Sequence, residues 1–188
     1  ILRDLAMRGV DTLLIEKGDL VNGASSRYHG LLHSGGRYAV KDQEAAKECI
    51  EENTILRRIG KSCVEPCGGM FVRLDKDDTD YEDLWVEGCK ASGIEAKQIS
   101  LEEAFALEPR LSHHVVSAYL VPDAAIDGFR MSWQNVESAK RYGGRAITYT
   151  ELVGIHKESG RVKGIRVRNA FTGEESDIAC EILVNAAG

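Results

Sequence analysis

The segment from Ser25 to Tyr38 holds the residue types of this chain that are best suited to chemistry. It places two histidines, His29 and His33, and two arginines among glycines and serines. An imidazole can move a proton near neutral pH, and a guanidinium offers a fixed fork of donors that matches phosphate. Glycine and serine allow backbone N–H groups to approach a flat or anionic ligand closely. The segment therefore predicts one wall of a cofactor and substrate site.

The elements before this segment predict part of a nucleotide-binding fold. Residues 1–8 are apolar at helical spacing, and Gly9 is a usual residue at a helix C-terminus. The apolar run 10–16 predicts a strand, and a helix followed by such a strand is the second half of a βαβ unit. In dinucleotide-binding folds an acidic residue at the end of the second strand accepts hydrogen bonds from ribose, and Glu16 stands there. On residue type alone, Glu16 is equally well a solvated strand end.

A long helix and a mixed segment follow the His33 region. Asp42 is a suitable N-cap for a helix that runs to residue 59, where Gly60 ends it. The composition then changes, and residues 62–127 predict short strands and helices that form a substrate or cap lobe. The predicted elements of this lobe are strands at 69–74 and 115–121 and helices that open with capping boxes at 79–82 and 100–103.

The chain then returns to the first part of the fold. Residues 129–142 predict a helix, which is followed by a strand, a hairpin and a third strand. The apolar run 182–188 predicts a buried parallel strand. The predicted class is α/β with mixed α+β character. It comprises part of a Rossmann-like domain, formed by residues 1–61 and 128–188, which the family resemblance given below implies to be an FAD-binding domain, with residues 62–127 as the inserted lobe.

Composition and charge exclude several functions. The 188 residues are 43% hydrophobic, which is enough for a sizeable core, and Trp85 and Trp133 are expected within it because their helical neighbours are apolar. The net charge of −6 argues against a nucleic-acid partner, because phosphate backbones are bound by basic surfaces. No run approaches the roughly 18 apolar residues of a membrane span, and no signal peptide opens the chain. We therefore expect no transmembrane segment and a cytoplasmic location.

The five cysteines show no C-x-x-C pattern. Two interpretations are open: either Cys63 and Cys67 form a metal or redox site, or the thiols are reduced and mostly buried, as in a cytosolic protein. The second interpretation is favoured, and no metal site is predicted.

One run of residues resembles a known family. Residues 23–40 read Gly-Ala-Ser-Ser-Arg-Tyr-His-Gly-Leu-Leu-His-Ser-Gly-Gly-Arg-Tyr-Ala-Val, which is similar to FAD-dependent oxidoreductases of the D-amino-acid-oxidase-like superfamily. Within that superfamily they look most like the catalytic A subunit of anaerobic, flavin-dependent glycerol-3-phosphate dehydrogenases. The most specific part is residues 33–38. Further matching runs are 49–53, 63–66, 121–127, 164–169 and 184–188.

The resemblance implies an FAD enzyme that oxidises sn-glycerol 3-phosphate, a small phosphorylated polyol, to dihydroxyacetone phosphate. Electrons would pass to a quinone through membrane-associated partner subunits, which implies a place in the cytoplasm or on the inner face of the cytoplasmic membrane. His33 would be the catalytic base for the C2 hydroxyl, Arg37 would hold the substrate phosphate as part of the catalytic pair, and Tyr38 would add a hydroxyl donor. The implied cofactor-binding residues are Glu16, Lys17, Ser25, Ser26, Arg27, His29, Gly30, Leu31, Ala187 and Gly188.

The chain departs from the family pattern in completeness. The glycine-rich turn expected before residue 1 and the later half of the family's sequence are missing, so we expect a fragment that is inactive alone. Two alternatives stay open: the same flavin chemistry on another 2-hydroxy acid, such as L-2-hydroxyglutarate, or on an amine; and a non-catalytic fragment or interaction module. On residue type alone, His33 is also explained as a packed histidine bonded to backbone, and His29 as scaffold or ligand contact.

Overall fold

The computed structural model describes residues 1–187 and divides the chain into two compact units. The first unit combines Ile1–Arg27 with the chain from Gly128 onward, and the second unit is Tyr28–Asp127. The sequence predicts the first change of domain at residue 61, whereas this division joins residues 28–61 to the segment that follows. The reason is that a strand and a helix from residues 28–61 pack on elements beyond residue 62.

Five α-helices and eleven strands form the described part of the chain. None of these helices combines the length and the apolar composition that crossing a bilayer requires. In chain order the elements are α1 (Leu2–Met7), β1 (Leu13–Ile15), a 3-10 turn (Ala24–Ser26), β2 (Leu31–Leu32), α2 (Gln43–Ile59), β3 (Val64–Glu65), β4 (Gly69–Leu74), α3 (Thr79–Ser92), β5 (Lys97–Ile99), α4 (Leu101–Leu107), β6 (Val115–Val121), β7 (Ala124–Ile126), α5 (Gly128–Arg141), β8 (Arg145–Ile147), β9 (Thr150–Glu158), β10 (Arg161–Asn169) and β11 (Glu175–Ala179).

A parallel strand pair and two helices organise the first unit. β1 and β8 pair in parallel, with Leu13 opposite Arg145, and α1 packs on α5. Small residues allow this packing: Ala6 and Ala139 are buried, and a Cβ added to Gly144 would lie 3.1 Å from the Ala6 Cβ. The predicted sequence of a helix and then a strand is confirmed, and so is the mixed α/β class.

An antiparallel sheet in the order β11-β10-β9 completes the first unit. It confirms the predicted hairpin and third strand, and its central strand buries Ile165 and Val167. The hairpin turns at Gly160, whose φ of +78° favours glycine.

The strand predicted at 182–188 is wrong for its described part. Residues 182–187 form no strand, and Ile182 and Val184 are exposed. A strand needs a neighbour whose backbone groups pair with its own, and none of the described strands pairs with this run. Gly188 lies outside the described residues.

Local capping fixes two helices of the second unit as the sequence predicts. The Asp42 carboxylate accepts the Ala45 N–H at 3.0 Å at the start of α2, and Gly60 follows its last turn. In α4, Ser100 and Glu103 form the predicted capping box, each accepting a hydrogen bond from the other's backbone N–H.

The capping box predicted at 79–82 is wrong. The N-cap of α3 is Asp78, whose carboxylate accepts the Asp80 N–H at 2.9 Å. Glu82 cannot complete a box, because its carboxylate accepts hydrogen bonds from Arg73 and Tyr119 instead.

Two antiparallel sheets, ordered β2-β7-β3 and β4-β6-β5, form the rest of the second unit. The predicted strands β4 and β6 are confirmed. In the first sheet Leu32 lies opposite Ala124. The two ends of the unit meet beside this sheet: the Tyr28 hydroxyl donates to the Ile126 carbonyl at 2.6 Å, and the Ile126 N–H donates to the Gly30 carbonyl at 2.8 Å.

The core of the second unit forms around Trp85. It is buried together with Ala39, Ala46, Cys89 and Val121, which confirms its predicted place. The matching prediction for the second tryptophan is wrong: in α5 the buried side chains are Val136 and Ala139, and Trp133 is 55% exposed.

All five cysteines are free thiols. Cys63 is buried and Cys67 is exposed, and within residues 1–187 no group of three or more histidine, cysteine and acidic side chains is arranged to hold a metal ion.

Candidate active site around His33

His33 lies in the second unit, between β2 and α2, and is partly buried. Its ring centroid is 6.3 Å from that of His29 and 5.9 Å from that of Tyr38. The Nδ1 atom is buried and has no hydrogen-bond partner among the described residues. A buried polar atom without a partner costs about 1–3 kcal/mol, so His33 carries a hydrogen-bonding capacity that the protein itself does not use. This excludes the alternative in which a backbone group forms a hydrogen bond with the Nδ1 atom of His33.

The peptide group before His33 is held by Asn53 of α2. The Asn53 side chain is completely buried, and its Nδ2 donates to the Leu32 carbonyl at 2.8 Å and to the Pro122 carbonyl at 3.1 Å. Since both acceptors are carbonyl oxygens, only the NH₂ side of the amide can face them. The orientation of this side chain is therefore fixed by its partners.

The peptide group after His33 is held by Asp123. Its carboxylate is buried, and Oδ1 accepts the backbone N–H of Ser34 at 2.6 Å. Gly69 makes room for it, since a Cβ added there would lie 2.5 Å from Asp123 Oδ2. Both peptide groups that flank His33 are thus anchored by buried side chains.

Two glycines carry the chain from His33 onto the core. Gly35 has a φ of +93° and packs on α2, where an added Cβ would lie 2.6 Å from the Ala46 carbonyl oxygen. The Gly36 carbonyl accepts the indole N–H of Trp85 at 2.8 Å. Side chains larger than hydrogen would displace the loop from both contacts.

Stacked aromatic rings pack against the segment that contains Gly35 and Gly36. Phe71 stacks on Trp85 with centroids 4.9 Å apart, and Tyr119 meets Trp85 edge-on at 5.4 Å. The Tyr119 hydroxyl donates to Glu82 at 2.7 Å. Burial raises the pKa of Glu82, but hydrogen bonds from Tyr119 and Arg73 outweigh it and leave the pKa below its ordinary value. Burial and the Glu82 contact raise the pKa of Tyr119 to about 12.

Arg37 and Tyr38 follow on the exposed side of the turn. The Tyr38 N–H donates to the Gly35 carbonyl at 2.8 Å, which closes a tight turn. Arg37 forms no hydrogen bond or ion pair with any other described residue, so its fork of donors is available to a ligand. His33 and Arg37 do not line the cavity of about 540 Å³ found elsewhere in this unit, whose walls are Thr54, Arg57, Arg58, Lys61, Val64 and Pro66.

Of the nine predicted cofactor residues that the structure describes, six lie in the first unit, and five of these fall between Glu16 and Arg27. Glu16 is partly buried just after β1, and its carboxylate accepts the backbone N–H two residues later at 2.9 Å. Lys17 is exposed beside it. The 3-10 turn carries Ser25, which is exposed, and Ser26, whose hydroxyl donates to a carbonyl at 3.1 Å, and Arg27 follows in an exposed position.

The other predicted cofactor residues lie apart from these in the chain. His29 is exposed, and its Nδ1 accepts the Leu31 N–H at 3.1 Å. Gly30 between them has a φ of +76°, and the Leu31 side chain is 42% exposed. Ala187 is exposed in the first unit. The role predicted for Gly188 falls outside the described residues.

Sequence reasoning gave no role to Asn53 and Asp123. Asn53 had a visible signal: it lies four residues after Cys49 and three before Leu56, on the apolar stripe of α2, where a polar side chain needs a buried partner. Asp123 had its place after a predicted strand and within the matching run 121–127, neither of which distinguishes a buried acid from a solvated one.

Curated relatives match the chain along its whole length. It is 46% identical over 197 residues to the A1 subunit of the anaerobic glycerol-3-phosphate dehydrogenase of Haloferax volcanii, and 43% identical over 188 residues to the A subunit of the corresponding Escherichia coli K12 enzyme. Each alignment covers 100% of this chain but 34% and 35% of the relative. The chain thus spans about a third of the length of the relatives it matches.

A solved structure and a family profile agree with this likeness. The crystal structure of L-proline dehydrogenase from P. horikoshii superposes with a TM-score of 0.77 at 25% identity, covering 99% of this chain and 48% of that one. The profile of the family described as "DAO: FAD dependent oxidoreductase" matches residues 1–188. The chain therefore belongs to the DAO family of FAD dependent oxidoreductases.

Proposed function

We propose that the complete protein containing this chain oxidises sn-glycerol 3-phosphate to dihydroxyacetone phosphate, with FAD as its cofactor. The observation that carries this proposal is the identity of 43–46% over the whole chain to the A and A1 subunits of anaerobic glycerol-3-phosphate dehydrogenases. The geometry of the second unit supports it. An imidazole with a buried, unpartnered nitrogen, a phenol and an unpaired guanidinium are carried within six residues of one segment.

The first unit offers donors that fit the nucleotide part of FAD. Glu16 retains a carboxylate oxygen for a ribose hydroxyl, since its described hydrogen bond uses only Oε1. Lys17 and Arg27 are exposed cations without described ion pairs, and with the hydroxyls of Ser25 and Ser26 they match a pyrophosphate. These residues are our proposed nucleotide-binding set. Ala187 and Gly188 are added by the family resemblance alone.

The second unit offers a surface that fits the flavin part. Gly30 lacks a side chain that would hold a flat ring away, and the Leu31 side chain is an exposed apolar face beside His29. His33 as a whole is only partly buried, so a bound ligand can contact the part of its ring away from the buried Nδ1. Bound FAD supplies a two-electron acceptor that takes a hydride from an alcohol carbon.

Three side chains bind the substrate or take part in its oxidation. Arg37 binds the phosphate through a charge-assisted fork, and Tyr38 donates its hydroxyl to the same substrate. His33 would accept the proton of the C2 hydroxyl, and the hydride that leaves C2 would be taken up by the two-electron acceptor that bound FAD supplies, so the alcohol would become a carbonyl. We assign His33 and Arg37 as catalytic residues and Arg37 and Tyr38 as substrate-binding residues.

The proposal extends to partners of the complete protein. The relatives' names describe them as subunits, which supports a complex of several subunits here. We propose that such partners pass the electrons to a quinone and hold the protein on the inner face of the cytoplasmic membrane, with this chain on the cytoplasmic side.

The test is reduction of the bound flavin in the purified complete protein under anaerobic conditions. The absorbance band of oxidised flavin near about 450 nm reports both the presence of FAD and its reduction. We expect sn-glycerol 3-phosphate to bleach the band, whereas glycerol and inorganic phosphate, offered singly or together, leave it unchanged.

Two outcomes would overturn the proposal. Bleaching by L-2-hydroxyglutarate or by an amino acid, but not by sn-glycerol 3-phosphate, would assign another substrate to the same chemistry. A complete protein without a flavin band would identify a non-catalytic module.

A further inference from the structure

We propose that Asn53 and Asp123 are positioning residues that fix the backbone at His33 and, with it, the direction in which the His33 side chain leaves its Cα. This inference rests on the proposed role of His33 as a base. It goes beyond that role, because neither residue belongs to the segment that holds the base.

Asn53 sets the first constraint. The Leu32 carbonyl belongs to the peptide group that enters His33, and Asn53 binds it at 2.8 Å from a completely buried position. The same NH₂ group also binds the Pro122 carbonyl at 3.1 Å, so α2, the His33 segment and the chain before β7 are joined at one side chain. The Asn53 Oδ1 atom is buried without a partner. Asn53 thus makes two donated hydrogen bonds here, although its acceptor is left unsatisfied.

Asp123 sets the second constraint. The Ser34 N–H belongs to the peptide group that leaves His33, and Asp123 accepts it at 2.6 Å in a buried position. Asp123 directly follows Pro122, so both anchors act on the same short stretch of chain. The β2–β7 strand pairing adjoins this contact, because Ala124, which directly follows Asp123, lies opposite Leu32.

The two anchors together determine the backbone at His33. Each residue has only two soft dihedral angles, φ and ψ, which rotate the peptide groups before and after its Cα. Holding both peptide groups therefore fixes both angles and, with them, the Cα–Cβ direction. A displacement of about 1 Å at a reacting group can cost about a hundredfold in rate, so this constraint has a catalytic consequence.

The experiment compares Asp123→Ala with Asp123→Asn in the complete, FAD-loaded protein. Alanine removes the acceptor for the Ser34 N–H, whereas asparagine keeps one acceptor oxygen, removes the charge and replaces the second oxygen with an NH₂ group. We expect Asp123→Ala to lower the kcat of flavin reduction at least tenfold, with the KM for sn-glycerol 3-phosphate and the FAD content unchanged. Asp123→Asn should restore most of the rate. Glu52→Ala, an exposed neighbour of Asn53 on α2, is the matched control and should behave as wild type.

A second measurement does not depend on turnover. The rate at which diethyl pyrocarbonate modifies His33, read by peptide mass spectrometry, should rise in Asp123→Ala and return toward wild type in Asp123→Asn. The exposed His113 in the same molecules is the internal reference. If Asp123→Ala does not fold, Asn53→Ala replaces it, with the same expected loss of rate and rise in modification.

The outcomes separate this inference from the proposed function. Failure of wild type to reduce its flavin with sn-glycerol 3-phosphate overturns the proposed function, while the modification rates still test the anchors. If wild type is active and both alanine variants keep full kcat and normal modification of His33, the anchors do not position it. If Asp123→Asn is as impaired as Asp123→Ala, an acceptor oxygen for the Ser34 N–H does not rescue the rate, and the inference is wrong.

Discussion

The rings of His33 and Tyr38 lie with their centroids 5.9 Å apart and their planes inclined by 58°. The tight turn that begins at Gly35 brings them together, since the Gly35 carbonyl accepts the Tyr38 N–H. An imidazole and a phenol hydroxyl are therefore carried on one short turn, close enough to contact the same small ligand.

Replacement of His33 should affect the chemical step more than binding. We expect His33→Gln in the complete protein to lower kcat by about 10²–10⁴-fold, because a positioned base contributes about that factor. The KM for sn-glycerol 3-phosphate should change little. Stopped-flow flavin reduction gives both values, and His113→Gln, at an exposed site, is the control. A His33→Gln protein with wild-type kcat would refute the assignment of the base.

Replacement of Arg37 should affect binding of the phosphate. We expect Arg37→Ala to raise KM about 10- to 100-fold, since a hydrogen bond to a charged group contributes about 1.5–3 kcal/mol. Arg37→Lys should recover part of the loss, because lysine keeps the charge but not the fork. Steady-state kinetics measure this effect, with the exposed Arg58→Ala as control. An unchanged KM in Arg37→Ala would place the phosphate elsewhere.

The glycine at position 35 should tolerate no side chain. Gly35→Ala combines a φ of +93° with a Cβ that would lie 2.6 Å from the Ala46 carbonyl oxygen. We expect a loss of unfolding free energy of about 2–6 kcal/mol from strain and overpacking together. Gly93 in the same unit also has a positive φ, but nothing lies within 4 Å of its added Cβ. Gly93→Ala should therefore cost only about 1–2 kcal/mol in urea denaturation.

Tyr119 should make stability depend on pH at the alkaline end. Its pKa is raised from 10.0 to about 12 by burial and by the hydrogen bond and charge of Glu82. The folded state therefore binds this proton more tightly than the unfolded state. The stabilisation is complete below pH 10 and is lost as the pH rises through about 12. Denaturation measured across this range should give a free energy of unfolding that depends less steeply on pH in Tyr119→Phe than in wild type. Tyr81→Phe, at an exposed site, should match wild type.

Local sequence signals were sufficient for much of the fold. The ends of α2 follow from Asp42 and Gly60, and those of β4 and β6 from apolar runs bounded by turn residues. At α3 two adjacent residues, Asp78 and Thr79, both suit an N-cap. Thr79 is the N-cap only if Glu82 completes a capping box with it. In the fold the Glu82 carboxylate binds Arg73 instead, and Asp78 is the N-cap.

The candidate site divides in the same way. Residue types alone made His33 and its neighbours candidates, because imidazole, guanidinium and glycine are each suited to a particular chemical task. The anchors of His33 could not be found by spacing: Asn53 acts on a carbonyl 21 positions away, and Asp123 on an N–H 89 positions away. The error at Trp133 is of another kind. The apolar residues near it in the sequence predict that it is buried, but α5 packs in a way that leaves its side chain exposed.

The adjacent ends of the second unit have an evolutionary consequence. Tyr28 and Gly30 both bind Ile126, so the chain leaves for the excursion and comes back at almost the same point. Such a module can be lengthened, shortened or exchanged by recombination without stretching the polypeptide on either side. An insertion or deletion between Gly30 and Ile126, the stretch that includes His33 and Arg37, therefore need not alter the separation of its two ends.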